Sequence, residues 1–393
     1  MASRPARVSR RSAVEPFHVM EVLKAAAERQ RTHGDVLMLC AGQPSTPAPA
    51  PAVEAAVRAA TSQVLGYTES TGILPLRQAV AEHHRELSGI DVDPDEVLVF
   101  PGSSGAFTAL FLAAFDVGDT VVMARPGYPA YRNTLQALGV RVHELDCGPH
   151  TRYQPTVAMM EELAAASGPP AGLIVASPAN PTGTVIDADE LAGLARWCEE
   201  HGTLLVSDEI YHGLSYGRAT ASAWETSREA VVVGSVSKYF SMTGWRVGWL
   251  LAPASLRRPL EVLTGNLNIC PPGISQYAAL GAFTPQARAE LEGHRERYAV
   301  TREVLVRRLP EVGLRTDAPP DGAFYAWCDV GHLTDDSVAW CQALLADCGV
   351  AITPGVDFDT VEGHRMVRLS FAGSTAEVEE ALDRMVASPL LRG

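Results

Sequence analysis

Two stretches in the middle of the chain decide its fold: residues 203–211 are TLLVSDEIY, and residues 230–249 are AVVVGSVSKYFSMTGWRVGW. Each begins with a short run of aliphatic residues, which is typical of a buried strand, and each continues into polar residues. Ligands of open α/β sheets bind at the carboxyl ends of the strands, so Asp208 and Tyr211 are predicted to face a binding crevice. An acid at that position can be a metal ligand, a helix N-cap or a cofactor partner, and the residues alone leave these alternatives open.

Lysine is almost absent from the chain, which makes Lys238 conspicuous. Of the 32 basic residues 30 are arginine, and the two lysines are Lys24 and Lys238. A bias of this kind places arginine wherever a positive charge alone is needed. A guanidinium stays protonated and forms no imine, whereas a desolvated amine can lose its proton and attack a carbonyl. Lys24 lies in an amphipathic helical pattern and is expected on the surface, so Lys238 is the candidate Schiff-base lysine.

Groups suited to binding a dianion surround Lys238. Two serines immediately precede it, and Arg246 follows it by eight residues. Residues 97–107, VLVFPGSSGAF, predict a strand and a Gly/Ser turn that opens a helix, whose free N–H groups favour a phosphate. Residues 172–183, GLIVASPANPTG, place Asn180 between a strand and a turn, where its carboxamide can point into the same crevice.

The region around these motifs alternates short β-rich runs with helical patterns, which indicates a mostly parallel sheet covered by helices. The seven strand candidates are Glu96 to Phe100, Thr120 to Ala124, Val140 to Leu145, Gly172 to Ala176, Thr203 to Ser207, Ala230 to Gly234 and Val247 to Ala252. After about residue 290 the pattern changes to one long amphipathic helix, two strands (Ala323 to Cys328 and Met366 to Phe371) and two further helices. This second region is predicted to be a smaller α+β domain.

Composition excludes several classes of protein. The 46 acidic and 32 basic residues give a formal net charge of −14, which argues against nucleic acid as a partner. No apolar run approaches the roughly 18 residues that cross a bilayer, so no membrane partner is expected. Seven widely spaced cysteines without a CxxC pair indicate free thiols in a reducing, cytoplasmic compartment and no zinc site. The first 13 residues carry four arginines, but no apolar segment follows them, so no secretory signal is predicted.

In this order and at these spacings, the motifs resemble those of the class I/II aminotransferases, a group of fold type I pyridoxal-phosphate enzymes. The resemblance extends from about Val14 to Ala387. It implies an α/β protein with a mostly parallel seven-stranded sheet flanked by helices and a second, smaller α+β domain. It also implies pyridoxal 5′-phosphate as the cofactor, no metal, and a homodimer with shared active sites. The implied segments are a disordered tail (1–13), an N-terminal arm with part of the small domain (14–49), a large cofactor-binding domain (50–290) and a small C-terminal domain (291–393).

The resemblance assigns roles around the cofactor ring. Lys238 would form the internal aldimine, Asp208 would contact the pyridine nitrogen, and Asn180 and Tyr211 would contact the 3′-oxygen. Tyr128, in RPGYPAY, occupies the position of the aromatic side chain that stacks on the ring. The ring must stay protonated to act as an electron sink, so its contact is expected to lower the pKa of the Asp208 carboxyl.

The remaining roles concern the phosphate and the substrate. The groups implied to hold the phosphate are Ser103, Ser104, Ser235, Arg246 and, from the partner subunit, Tyr67. Arg368, in VRLSFA, would bind the substrate α-carboxylate as a bidentate pair, aided by the backbone at Gly42. Such a clamp leaves the Cα–H bond free to align with the ring, and the freed Lys238 amine is then positioned to move the proton.

The predicted reaction moves the amino group of an L-amino acid to a 2-oxo acid in two half-reactions. A β-lyase, a cyclopropane-forming synthase and an amino-acid oxidase share most of these motifs and stay open. A transcription regulator built on the same domain needs a DNA-binding module of roughly 70 residues before it, and it is not expected here. The substrate side chain is not identified, although no second arginine stands in a recognisable position for a dicarboxylate.

Several other residues are candidates for the site. Phe17 and His18 are candidates for lining the substrate pocket, and His212 is a weaker candidate. His83 and His84 adjoin on a helical pattern with no third ligand, so they are predicted to be a solvated pair.

Overall fold

The computed structural model describes residues 7–391, and helices and strands alternate through the middle of the chain. The strands of these residues are β1 (Leu37–Met38), β2 (Val97–Phe100), β3 (Thr120–Arg125), β4 (Arg141–Asp146), β5 (Gly172–Ala176), β6 (Leu204–Asp208), β7 (Val231–Ser235), β8 (Gly248–Leu251), β9 (Tyr325–Asp329), β10 (Val350–Ala351), β11 (Thr353–Pro354) and β12 (Met366–Ser370). The α-helices are α1 (His18–His33), α2 (Ala50–Ser62), α3 (Leu74–Ser88), α4 (Gly102–Ala114), α5 (Pro129–Leu138), α6 (Val157–Ser167), α7 (Ala188–His201), α8 (Ala254–Leu267), α9 (Gly273–Ala282), α10 (Pro285–Arg308), α11 (Ser337–Cys348) and α12 (Thr375–Ala387). Among these described residues, no helix combines the length and the apolar character that crossing a membrane requires.

The seven strands predicted in the middle of the chain form one sheet in the order β2-β8-β7-β6-β5-β3-β4. Only β8 runs antiparallel to its neighbours, so the predicted α/β class with a mostly parallel sheet is confirmed. Each strand begins and ends within one residue of its predicted bounds. The carboxyl ends of β2, β3, β5, β6 and β7 therefore meet at one edge of the sheet.

Apart from the edge strand β4, the strands of the sheet are buried on both faces, because their alternate residues enter two apolar clusters. In β2, Val97 and Val99 pack into one cluster, whereas Leu98 and Phe100 pack into the other. Parallel sheets covered by helices on both sides have strands of this continuous apolar type. Burial on both faces fixes the register of each strand and hence the positions of the polar residues that follow it.

The C-terminal part contains a three-stranded antiparallel sheet in the order β11-β12-β9, packed with α10, α11 and α12. The N-terminal segment joins this part, since β1 pairs in parallel with β10 and α1 contacts β11. The α+β prediction for this region is confirmed, while the domain boundaries stay a proposal. Of the predicted tail, residues 1–6 lie outside the described residues. Residues 10–12 form an exposed 3-10 helix capped by the Ser9 side chain.

Candidate active site

A cavity of about 430 Å³ lies at the carboxyl edge of the large sheet, and residues of the small sheet close it. Ten of the twelve predicted site residues line it: Gly42, Ser103, Ser104, Tyr128, Asn180, Asp208, Tyr211, Lys238, Arg246 and Arg368. They come from segments that are far apart in the sequence. Most of them lie at or after the carboxyl ends of strands of the large sheet, whereas Arg368 lies on β12 of the small sheet and Gly42 lies in the N-terminal segment. The two others, Ser235 and Tyr67, lie elsewhere.

Asp208 ends β6 at the floor of the cavity. It is buried, and it accepts hydrogen bonds from the Tyr131 hydroxyl and from the Ile210 N–H (3.2 Å). Burial raises the pKa of the Asp208 carboxyl to about 6, against the lowering effect of Tyr131, Ile210 and Lys238. The lowering predicted from the sequence requires a cationic ring beside Asp208, so the protein alone has the opposite shift. Sequence reasoning missed Tyr131, although it lies three residues after Tyr128 at the start of α5, where i and i+3 share a helix face.

Lys238 lies in the loop after β7, and its amine faces the same space. Nζ donates to the Gly42 carbonyl oxygen at 2.6 Å and lies 5.7 Å from the centre of the Tyr211 ring. Burial lowers the pKa of Lys238 to about 8, and the positive charge of Arg368 adds to this effect while Asp208 opposes it. A neutral, nucleophilic amine is therefore accessible near neutral pH.

Two tyrosine hydroxyls meet at the wall of the cavity. Tyr211 and Tyr325 share a hydrogen bond of 2.8 Å, and burial raises the pKa of Tyr211 well above its usual value. Both phenols are therefore neutral at physiological pH. Tyr325 is the first residue of β9, in the segment GAFYAW. The Arg368 Cζ atom lies 4.3 Å from the centroid of the Tyr325 ring.

Arg368 is buried on β12 between two aromatic rings. Nη1 donates to Asn180 Oδ1 at 2.9 Å, and Nη2 donates to the Cys40 carbonyl oxygen at 2.8 Å. Cζ lies 4.8 Å from the centre of the Phe358 ring, opposite Tyr325. Nε is buried and has no hydrogen-bond partner. The guanidinium is thus held rigidly while it keeps unused donor capacity, as a carboxylate-binding group requires.

A cradle for an anion lies at the start of α4. This helix begins at Gly102 with no side-chain cap, so its first N–H groups are free. Arg246 lies directly over that end, because a Cβ atom on Gly102 would be 2.3 Å from its Nη2 atom. A Cβ atom on Gly248 would likewise be 2.5 Å from the Ser103 nitrogen. Both glycines are needed for the guanidinium, the strand and the helix end to approach so closely.

The two predicted residues that do not line the cavity have clear locations. Ser235 lies behind the wall, where its hydroxyl bonds to Ser237 Oγ at 2.8 Å and to the Val247 carbonyl at 3.0 Å. Ser237 lines the cavity in its place. Tyr67 is 84% exposed in a surface hollow beside Pro101, the residue that precedes α4. Among the described residues, the Tyr67 hydroxyl makes no hydrogen bond within its own chain.

One part of the cavity is apolar. Its wall consists of Phe17 and residues of α1 and β1, namely Val19, Met20, Leu23 and Met38. The cations that line the cavity within residues 7–391 are Lys238, Arg246 and Arg368. The prediction that Phe17 lines the pocket is therefore confirmed, whereas His18 is not part of the lining.

The histidine predictions need correction. His83 and His84 are buried rather than solvated, since α3 packs them against Trp249, Phe240 and Phe283. His84 Nε2 accepts a hydrogen bond from Trp249 Nε1 at 3.0 Å, and burial lowers the pKa of His84 to about 4. His212 is buried beside Glu209 and does not line the cavity.

A family model described as aminotransferase class I and II matches residues 34–385. The chain is 55% identical to the valine–pyruvate aminotransferase of Mycobacterium tuberculosis over 96% of this chain and 97% of that protein. It is 35% identical to the aspartate/prephenate aminotransferase of Thermus thermophilus, over 96% and 97% of the two chains.

Solved structures agree with these matches. The crystal structure of an aminotransferase from M. tuberculosis has a TM-score of 0.95 and 54% identity, covering 98% of this chain and 99% of that one. The aspartate aminotransferase from T. thermophilus, solved with maleate, has a TM-score of 0.91 and 34% identity, covering 98% and 100%.

Proposed function

Because the chain belongs to the class I and II aminotransferase family and is an aminotransferase, we propose that it uses pyridoxal 5′-phosphate to transfer the amino group of an aliphatic L-amino acid to a 2-oxo acid. Valine and pyruvate are the proposed donor and acceptor, after the name of the relative from M. tuberculosis. The apolar part of the cavity supports the aliphatic donor independently.

The observation that carries this proposal is the convergence of one amine, one carboxylate and two guanidinium groups on a single cavity. The residues present fit the cofactor. Gly102 and Gly248 make room for Arg246 over the free N–H groups of α4, which form a site for a dianion. Asp208 lies deep enough to accept from a protonated ring nitrogen, and Lys238 has the depressed pKa of a reactive amine.

When bound, the cofactor supplies an aldehyde that the Lys238 amine can capture and a protonated ring that accepts the electron pair of the broken Cα–H bond. The protein supplies the rest. Arg368 would hold the substrate α-carboxylate and would thereby fix the orientation of the Cα–H bond. Lys238 then removes the proton from Cα, which its pKa of about 8 allows near neutral pH. Asp208 keeps the ring nitrogen protonated by accepting its N–H.

The lining favours an apolar donor side chain over a dicarboxylate. Lys238, Arg246 and Arg368 already have the cofactor and the α-carboxylate as proposed partners, and the described lining offers no further cation. A second carboxylate would then be desolvated against Phe17, Leu23 and other apolar groups without a counter-charge. Burying an aliphatic side chain there contributes about 0.8 kcal/mol for each CH₂ group.

We also propose a cytoplasmic homodimer. Tyr67 and its neighbour Val64 are 84% and 96% exposed, beside the loop that leads into α4. This arrangement supports the role of Tyr67 as a group that reaches the phosphate site of the partner subunit. All seven cysteines are free, which supports a reducing compartment.

The test combines a substrate scan with location of the cofactor link. Purified protein loaded with the cofactor is assayed with valine, leucine, alanine, aspartate and glutamate as donors, each with pyruvate and with 2-oxoglutarate. We expect valine and leucine to exceed aspartate in kcat/KM by at least about tenfold, the equivalent of two buried CH₂ groups. Borohydride reduction and peptide mapping should find the cofactor on Lys238. A label on Lys24, or a preference for aspartate, would contradict the proposal.

A further inference from the structure

The first turn of α1 supplies most of the apolar wall, yet the helix itself holds this turn weakly. The N-cap residue, Phe17, makes no side-chain capping bond, and Ala26 is the one fully buried residue of the helix. At the far end, Arg29 anchors α1 through the Leu345 carbonyl (2.7 Å) and the Asp35 carboxylate (2.7 Å). A different residue must therefore fix the end that faces the cavity.

That residue is Asp357, which lies 338 positions further along the chain. Its Oδ1 atom accepts from the His18 N–H and its Oδ2 atom accepts from the Val19 N–H, both at 2.8 Å. The carboxylate is 2% exposed. A carboxylate on two free N–H groups at a helix start is a strong cap, because it satisfies both donors and lies at the positive end of the helix dipole.

The segment that carries Asp357 is itself firmly placed. The Arg132 side chain on α5 donates to the Asp357 carbonyl oxygen at 3.1 Å and pairs with Glu144 at 2.8 Å. The next residue, Phe358, accepts from the Gly127 N–H at 2.9 Å and packs on Arg368. Asp357 thus connects the first turn of α1 to the same rigid segment that supports the carboxylate-binding arginine.

We propose that Asp357 is a positioning residue for substrate selection, because its carboxylate holds Phe17, Met20 and Leu23 against the part of the cavity that receives the donor side chain. This inference rests on the proposed function. A donor with a branched side chain reaches this wall, whereas the methyl group of alanine is too short to depend on it. Loss of the cap should therefore weaken the preference for valine over alanine.

The test compares Asp357→Ala and Asp357→Asn with Asp336→Ala as the matched control. Asp336 is the N-cap residue of α11, its Oδ1 atom accepts from the Val338 and Ala339 N–H groups at 3.0 Å, and it does not line the cavity. The donor half-reaction with valine and with alanine is followed by the absorbance of the cofactor. We expect the valine-to-alanine ratio of kcat/KM to fall about twofold to thirtyfold in Asp357→Ala, if the whole effect of a lost cap acts on this ratio, and less in Asp357→Asn, which keeps one acceptor. The control should keep the ratio of the unmodified protein.

Two further measurements separate this role from a general structural one. Amide hydrogen exchange of residues 18–24 should accelerate in Asp357→Ala, and unchanged exchange would overturn the proposal. In a double-mutant cycle with Phe17→Ala, the two effects on the ratio should be less than additive, because both act on the same wall. Additive effects would mean that Asp357 acts through Phe358 instead, and would overturn it too. If the unmodified protein does not accept valine at all, the proposed function fails, while the exchange experiment still reports on the cap.

Discussion

Tyr131 is the residue of the site that sequence reasoning missed, and replacing it gives a sharp test of the electrostatics around Asp208. Its hydroxyl donates to the Asp208 carboxylate in a fully buried setting, and this bond lowers the pKa of Asp208 against the effect of burial. Tyr131→Phe removes the donor and keeps the ring, which packs against Phe107 and Tyr128. The fold should therefore survive.

The expected magnitude follows from the type of bond. A hydrogen bond to a charged group contributes about 1.5 to 3 kcal/mol. If the whole free energy of this hydrogen bond stabilises the ionised form of Asp208, which is the form that accepts the ring N–H, its loss should lower kcat about 10- to 150-fold. The sign of the pH effect is fixed as well. Asp208 acts as a carboxylate, so activity is lost as the pH falls through its pKa, and a raised pKa moves this acidic limb to higher pH.

The assay is the pH dependence of kcat with a saturating donor. Tyr216→Phe is the control, since that phenol also donates one internal hydrogen bond, to the Ala323 carbonyl at 2.7 Å, away from Asp208. It should leave kcat and the acidic limb unchanged. A Tyr131→Phe variant with kcat within about twofold of the unmodified protein and an unmoved acidic limb would refute the reasoning.

Three further predictions follow from the site. Arg368→Ala should cost about 2 to 4 kcal/mol in kcat/KM for amino acids, and Arg368→Lys should restore little of this loss. Primary amines without a carboxylate should be much less affected. An equal loss of kcat/KM on amino acids and on amines would mean that Arg368 has a structural role. Gly102→Ala should weaken cofactor binding, as measured by equilibrium dialysis, because its Cβ atom would lie 2.3 Å from Arg246. Gly118→Ala is the control: Gly118 also has a positive φ, but its Cβ atom would have open space, so cofactor binding should not change. Mixing inactive Lys238→Ala protein with impaired Tyr67→Ala protein should restore activity through mixed dimers that hold one intact site, and no recovery after subunit exchange would contradict a shared site.

The sequence predicts the large sheet well because its strands are buried on both faces. Runs such as VVVG in β7 are apolar throughout, so a buried strand is predicted there and its ends are predicted where polar residues begin. The site residues that follow these strands, such as Asp208 and Asn180, are then placed by the topology alone.

Residues whose environment depends on segments distant in the sequence are not predicted by this reasoning. Asp357 caps a helix 338 residues away, and no local pattern marks a carboxylate for a distant N-terminus. The sequence shows no third ligand for a metal beside His83 and His84 and so predicts a solvated pair, yet both pack among aromatic side chains and His84 accepts from Trp249. In these cases tertiary packing decides the environment of a residue, and that information is absent from a short window of sequence.

Ser235 illustrates a finer limit. The resemblance implies a phosphate contact for Ser235, but the sequence alone does not show which way a hydroxyl at the end of a strand turns. Ser235 is the last residue of β7, and its hydroxyl turns toward the backbone of β8 and toward Ser237, which lines the cavity. Any effect of Ser235 on the phosphate should pass through Ser237.

The last prediction concerns how the protein captures its cofactor. Burial moves the pKa of Lys238 down to about 8 and the pKa of Asp208 up to about 6, so the two groups approach each other on the pH scale. Capture of an aldehyde needs the neutral amine, whose fraction below pH 8 rises about tenfold for each pH unit. The rate of loading should therefore rise up to about pH 8 and then level off.

The measurement is the rate at which apoprotein gains visible absorbance after mixing with pyridoxal phosphate, between pH 6 and pH 10. The reference is a lysine derivative with a free side-chain amine, whose rate should continue to rise toward a pKa near 10.4. At pH 7 the lowered pKa of Lys238 increases the neutral fraction about 300-fold over an amine with its usual pKa of 10.5. A loading rate that still rises tenfold between pH 9 and pH 10 would show that the cavity does not desolvate Lys238, and would remove the physical reason for its reactivity.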